Sequence, residues 1–218
     1  MVAQITEGTA FDKHGRPFRR RNLVPGIAMF VCLAVAAGLV WVIALSRPPE
    51  VQEAAVCNPP PAPAEPGAPV PNLGEQVTRA TMLDVTPAKL VDTRIRVLNA
   101  SGQGGQASEV AGALRDLGFT DPEAANDPVY ATARLQCQGQ IRFGPSGRAA
   151  AAAVWLVAPC TELFQDGRPD DTVDLALGTD FTEVTRSDDI DAVLASLLPD
   201  ATAPADAELL TKAHTGTC

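Results

Sequence analysis

Residues 23–46 read LVPGIAMFVCLAVAAGLVWVIALS, an apolar run without a single charged side chain. At 1.5 Å rise per residue, a helix of this length crosses a hydrocarbon core of about 30 Å. Lipid offers no partner to a free backbone amide, so a helix is the only form the run can take there. Pro25 falls in the first turn, where its missing N–H costs nothing, and Trp41 falls near the far interface. Residues 1–22 carry five basic side chains (Lys13, Arg16, Arg19, Arg20, Arg21) against two acidic ones (Glu7, Asp12). The positive-inside rule then keeps this tail in the cytoplasm and sends everything beyond Arg47 across the membrane. The run is too long and begins too late for a cleaved signal peptide, whose apolar region spans about 7–15 residues. No small residue precedes Cys32 where a lipid-attachment site needs one. The expectation is a retained anchor: a single-pass membrane protein, N-terminus cytoplasmic, with an extracytoplasmic C-terminal domain.

The tail takes five of 17 basic and two of 26 acidic residues, leaving 12 basic and 24 acidic in 47–218. A net charge of −12 there keeps the exported part soluble and argues against nucleic acid as a partner. Cys32 lies in the span and reads as a small apolar residue. The other four cysteines, Cys57, Cys137, Cys160 and Cys218, all fall on the exported side, where an even number argues for two disulfides. Three connectivities are open. Proximity favours Cys137–Cys160, which would leave Cys57–Cys218. No CxxC or Cys/His spacing supports a metal site, and no cofactor is implied.

Cys57 to Pro71 holds seven prolines in fifteen residues and reads as an extended spacer within a 47–92 linker. A domain over 93–199 follows, and then a 200–218 tail with a short helix around 206–213 and the terminal Cys218. Arg94–Asn99 alternates as a strand. After a glycine-rich turn, Ala107, Val110, Ala111, Leu114 and Leu117 mark one face of a helix. Gly118 suits the left-handed position that ends it, with Phe119 folding back onto the last turn. Asp121–Pro128 reads as a loop and Leu135–Phe143 as a second strand. Arg148–Ala158, apolar nearly all round, reads as a buried helix. Short strands are expected over 160–164 and 172–177, and a helix capped by Ser187 over 188–198. This order predicts an α/β fold: a small two-layer sandwich with its helices on one face of the sheet, preceded by one transmembrane helix.

Gly102–Ala107 matches GxGxxA formally. No second strand ends in an acidic residue about twenty positions on, so a dinucleotide site is not expected. The milder reading is that free N–H groups at this helix start, with Asn99, Ser101 and Gly102, or at the next one beside Arg142 and Arg148, take a phosphate or carboxylate. Only His14 and His214 are present, no GxSxG, HExxH or SxxK occurs, and oxidised cysteines supply no thiolate, so no catalytic residue is expected. Asp188, Asp189 and Asp191 crowd a helix start that favours them anyway. Asp180, just past the 172–177 strand, is the one acidic residue that invites a ligand role.

Three segments, RIRVLNASGQGGQASEVAGALRDLGF (94–119), QIRFGPSG (140–147) and DLALGTDF (174–181), resemble in order the motifs of the LytR C-terminal domain family. Asn99, Ser101, Gly102, Gly118, Phe119, Arg142, Gly144, Pro145, Gly178, Asp180 and Phe181 stand on matching positions; Ala100 and Phe143 depart mildly. The resemblance implies a module of the cell envelope with no catalytic residues to carry over. The LytR-CpsA-Psr enzymes that ligate glycopolymers to peptidoglycan carry a separate catalytic domain, which is not expected here. The implied partner is a cell-wall polymer (peptidoglycan or arabinogalactan) or a wall-assembly membrane protein such as one of those ligases.

Overall fold

The computed structural model describes residues 23–45, 56–63 and 71–215, and the chain divides into two units, 1–48 and 49–218. In the first, Val24–Leu45 forms helix α1. Its Val24–Ile43 stretch has a mean hydropathy of 2.6 and buries nothing against protein. Phe30 and Trp41 are 73% and 68% exposed on it. Apolar all round and uncovered, such a helix suits lipid rather than water.

The second unit is built on a six-stranded sheet. Its strands are β1 (Glu75–Gln76), β2 (Ile95–Asn99), β3 (Glu123–Asn126), β4 (Gly139–Phe143), β5 (Glu162–Gln165) and β6 (Val173–Leu177). Their spatial order is β1-β5-β4-β6-β2-β3, with β4–β6 and β1–β5 antiparallel and the other pairs parallel. Alternation sorts their side chains. Ile95, Val97, Ile141, Phe143, Leu163, Val173, Leu175 and Leu177 face the main core. That core is closed by helices α3 (Gln106–Asp116), α4 (Arg148–Val157), α5 (Asp188–Ser196) and α6 (Ala207–His214), with short α2 (Arg79–Leu83) alongside. A separate cluster of Leu98, Ala100, Tyr130, Leu135, Cys137 and Ala176 contains no helical residue and lies on the other face. The helices therefore share one face of the sheet.

Local signals hold where they are strongest. Gly118 has φ +102°, its N–H donates to Arg115 O at 3.0 Å, and Phe119 N–H donates to Leu114 O at 3.2 Å. These are the paired bonds of a glycine-terminated helix. Ser187 Oγ accepts from Ile190 N–H at the start of α5. Residues 150–157 of α4 are all buried, as an apolar surface on every side requires.

Two segments differ from expectation. Residues 123–126, expected in a loop, form edge strand β3, all exposed and paired in parallel with β2. Ala124 and Ala125 carry no strand propensity, and pairing with β2 decides their state. The second strand begins at Gly139 rather than Leu135. The preceding residues cradle the turn after β6 instead, Leu135 O and Cys137 O accepting from Thr179 and Asp180 N–H at 2.8 and 3.0 Å.

The disulfide expectation is corrected. Cys137 pairs with Cys57, 80 residues away, rather than with Cys160. Cys160 is itself disulfide-bonded, and Cys218 lies outside the described residues. Sequence proximity misleads because Cys137 is on the face of the sheet without helices, where the chain from 56 onward is laid down. Asn58 reinforces the attachment: its Oδ1 accepts from Gln136 N–H, its Nδ2 donates to Arg134 O, and its carbonyl accepts from the Tyr130 hydroxyl at 2.7 Å. With Cys57 fastened here and β1 paired with β5, the residues on either side of the proline-rich stretch are held on the domain, and its 64–70 portion lies outside the described residues. Replacing Cys57 and Cys137 together by serine should cost about 4–5 kcal/mol for a closed loop of this length, read as a lowered urea midpoint.

On the helical side, the His214 ring stacks on Trp155 with centroids 3.7 Å apart, and Arg79 lies over the same indole at 5.1 Å. Burial first, and the Arg79 charge second, push the His214 pKa down to about 3. Its folded value lies below the ordinary 6.5, so its stabilising share is full above pH 6.5 and fades as pH falls toward 3. Between these limits acidification should weaken the domain by at most about 1.4 kcal/mol per pH unit. His214→Phe, which keeps the stack, should flatten that dependence in thermal melts.

Candidate functional site

On the face without helices, strand register sets charged side chains in a row. Arg96 of β2 stands opposite Asp174 of β6, which stands opposite Arg142 of β4; in the next row Ala176 stands opposite Gln140, and Gln140 opposite Glu162. Arg96 grips Asp174 through Nε and Nη2 at 2.7 and 3.0 Å. Arg168, from the turn between β5 and β6, donates to Asp174 at 2.7 Å and grips Asp166 through Nε and Nη2 at 2.9 and 2.6 Å. Burial pushes the Asp166 carboxyl up, but the hydrogen bonds and charge of Arg168 outweigh it and hold it below the usual carboxylate range. The same contacts outweigh desolvation at Arg168 and raise its pKa. A general acid needs the opposite shift in its carboxyl, so Asp166 is set up to stay charged rather than to transfer protons.

Arg142 lies deeper, 4% exposed, with its Nη1 2.9 Å from Asp127 Oδ2 and both Nε and Nη2 bonded to Gln140 Oε1. Gln140 donates in turn to Glu162, whose other oxygen accepts from Cys57 N–H. Asp127 Oδ1 accepts from Val129 and Tyr130 N–H, folding the residues after β3 into a turn over the sheet.

Beside this lid the edge strands leave adjoining hollows. One of about 390 Å³ has Arg142, Arg168, Asp166 and Asp174 in its lining and Asn126 at its rim. It shares Asn126 with a hollow of about 410 Å³ lined by Asn99, Gly102, Tyr130 and Arg134. It shares Arg96 with another of about 500 Å³ near Arg94 and Glu123. Together they form a trough along β2 and β3, whose central hollow sets Leu73, Leu98, Ala125, Pro128 and Val129 beside its charged side chains.

The six residues singled out from sequence fall in different places. Asn99 and Gly102 line one part of the trough and Arg142 another. Ser101 is buried in the turn: Asn99 Oδ1 accepts from Ser101 and Gly102 N–H, the Ser101 hydroxyl meets Gln106 Oε1 at 2.6 Å, and Gln106 donates to Phe181 O. The glycine-rich turn thus spends most of its polar groups on itself. Asp180 is exposed in the turn beyond β6, where Thr179 Oγ1 donates to it. Arg148 starts α4 beyond Phe143, which pairs with Val173 at the opposite end of β6 from Leu177 and Asn99, so it does not join them. Arg96, Asp127, Gln140, Asp166, Arg168 and Asp174 were not expected at a site. For the strand residues a signal existed: charged or amide side chains at alternate positions of otherwise apolar strands, as in IRVLN, QIRF and VDLAL. Among the described residues no cluster of His, Cys, Asp and Glu is arranged to hold a metal ion.

Residues 92–181 match the family model LytR_C, described as LytR cell envelope-related transcriptional attenuator. The chain is 66% identical over 218 residues, the whole of both sequences, to the cell envelope integrity protein Cei of Mycobacterium tuberculosis, and it belongs to that family. It is also similar to the solved soluble domain of a conserved hypothetical secreted protein from Mycobacterium marinum. That likeness has 69% identity and a TM-score of 0.66, covering 67% of this chain and 99% of that one.

Arg142→Met would strand the Asp127 carboxylate in the interior and should cost about 3–5 kcal/mol in urea unfolding. Adding Asp127→Asn, which removes the unpaired charge, should recover part of that loss.

Proposed function

We propose that this chain is a non-enzymatic binding module, held in the cell membrane by residues 23–46, with its N-terminus in the cytoplasm. Its extracytoplasmic domain contributes to envelope integrity by binding a cell-wall polymer, peptidoglycan or arabinogalactan. The observation that carries this reading is the trough along β2 and β3, whose successive hollows share Arg96 and Asn126. Five strand residues at about 3.3 Å each make a seat for an extended chain rather than for a small molecule. Its side chains are those that hydrogen-bond repeating polar units, and they are already ordered by contacts with one another, which lowers the entropy lost on binding. The name of the Mycobacterium tuberculosis relative, a cell envelope integrity protein, points the same way. The basic tail ahead of the span supports the orientation.

A second reading, a scaffold for a wall-assembly protein such as a LytR-CpsA-Psr ligase, draws on β3 itself. All four of its residues are exposed, and a sheet edge of this kind accepts a partner's strand. Co-sedimentation of the detergent-solubilised full chain with isolated cell wall separates the two. Saturable pelleting that falls when arabinogalactan is stripped off is the outcome expected for the polymer module. A chain that stays in the supernatant throughout overturns it in favour of the scaffold, for which in-cell cross-linking at β3 is the next measurement.

A further inference from the structure

Resting on the polymer-binding reading, we infer that the trough takes an uncharged, hydroxyl-rich polysaccharide and discriminates against polyanions. The argument is charge balance. Three guanidinium groups, Arg96, Arg142 and Arg168, line the central hollow, and each already has a carboxylate partner. Asp174 takes Arg96 and Arg168 at 2.7 Å each, Asp166 takes Arg168 at 2.6 Å, and Asp127 takes Arg142 at 2.9 Å. Three positive charges are matched by three negative ones, so the seat offers no net field for a phosphate or carboxylate. An anion could enter only by parting an existing ion pair and leaving a buried or largely buried aspartate uncompensated. The exported part as a whole, at −12, repels polyanions further.

The same arrangement suits hydroxyl groups. Arg96 commits two of its five N–H donors to Asp174 and keeps nearly half its side chain exposed. The aspartates retain lone pairs beyond those the arginines occupy, and Asn126 at the junction of the hollows offers an amide that both donates and accepts. A sugar hydroxyl donates to one such group and accepts from its neighbour without displacing either. A seat of alternating, mutually neutralised donors and acceptors fits a polyol chain. Wall material whose contacts are carboxylate-bearing peptide stems or phosphodiesters does not share this complementarity.

The test is calorimetric titration of the detergent-solubilised full chain with soluble arabinogalactan and, separately, with poly(glycerol phosphate), each at low and high salt. Arabinogalactan should bind with an affinity that salt leaves unchanged, and poly(glycerol phosphate) should not bind. Asn126→Ala, on the exposed edge and outside the ion pairs, should weaken arabinogalactan binding about fivefold with the melting temperature unchanged. Asp166→Asn, which leaves one positive charge in excess, should open a salt-sensitive affinity for poly(glycerol phosphate). Tighter binding of poly(glycerol phosphate) by the unaltered chain, falling with salt, overturns the inference. So does pelleting with cell wall that arabinogalactan does not compete and Asn126→Ala does not affect; the polymer-binding reading then stands and the trough as its seat does not.

Discussion

Arg142 and Asp127 meet where three parts of the domain converge: the middle strand β4, the turn after edge strand β3, and the segment that arrives from Cys57. Taking two charges out of water costs several kcal/mol per ion, which mutual attraction repays only with good geometry and further hydrogen bonds. Those bonds are present. Gln140 fills two more positions on the guanidinium, and the backbone of Val129 and Tyr130 satisfies the other carboxylate oxygen. The pair therefore holds the lid over the second face more than it adds net stability.

The sheet's two faces obey different physics. Toward the helices, branched and aromatic side chains close a dry core in which α4 is surrounded on every side. On the other face only a few apolar residues gather, and short-range polar contacts take over from burial. A face held by directed contacts stays hydrated and selective, whereas one held by area alone would have to be covered. The division explains how so small a domain can keep a stable interior and still leave most of one sheet edge open.

Much of this was legible in the sequence. Helix α1 followed from its length and apolar composition, α3 from its period and terminating glycine, and α4 from apolar side chains on all sides. Strand β3 was not legible, because EAAN has no strand signal and forms only against a β2 already in place. The Cys57–Cys137 bond was hidden because loop length in sequence says nothing about which face of a sheet a cysteine reaches. At the site, Arg142 came from its place beside a predicted helix start and from motif resemblance, whereas Arg96 and Asp174 were in view as polar positions within apolar strands and were passed over. Asp166 and Arg168 lie in a polar turn whose path is set by the strands on either side, so nothing local marks them.

The fastening at Cys57 changes how the domain carries load. A pull applied to the chain ahead of Cys57 would enter the domain at Cys57 and pass through sulfur to Cys137, two residues ahead of the central strand β4. The chain between Cys57 and β1 lies outside that covalent path. The terminal grip is thus covalent and sits beside the Glu162–Gln140–Arg142 network. A load entering there would be borne by the middle of the sheet rather than peeled from its edge.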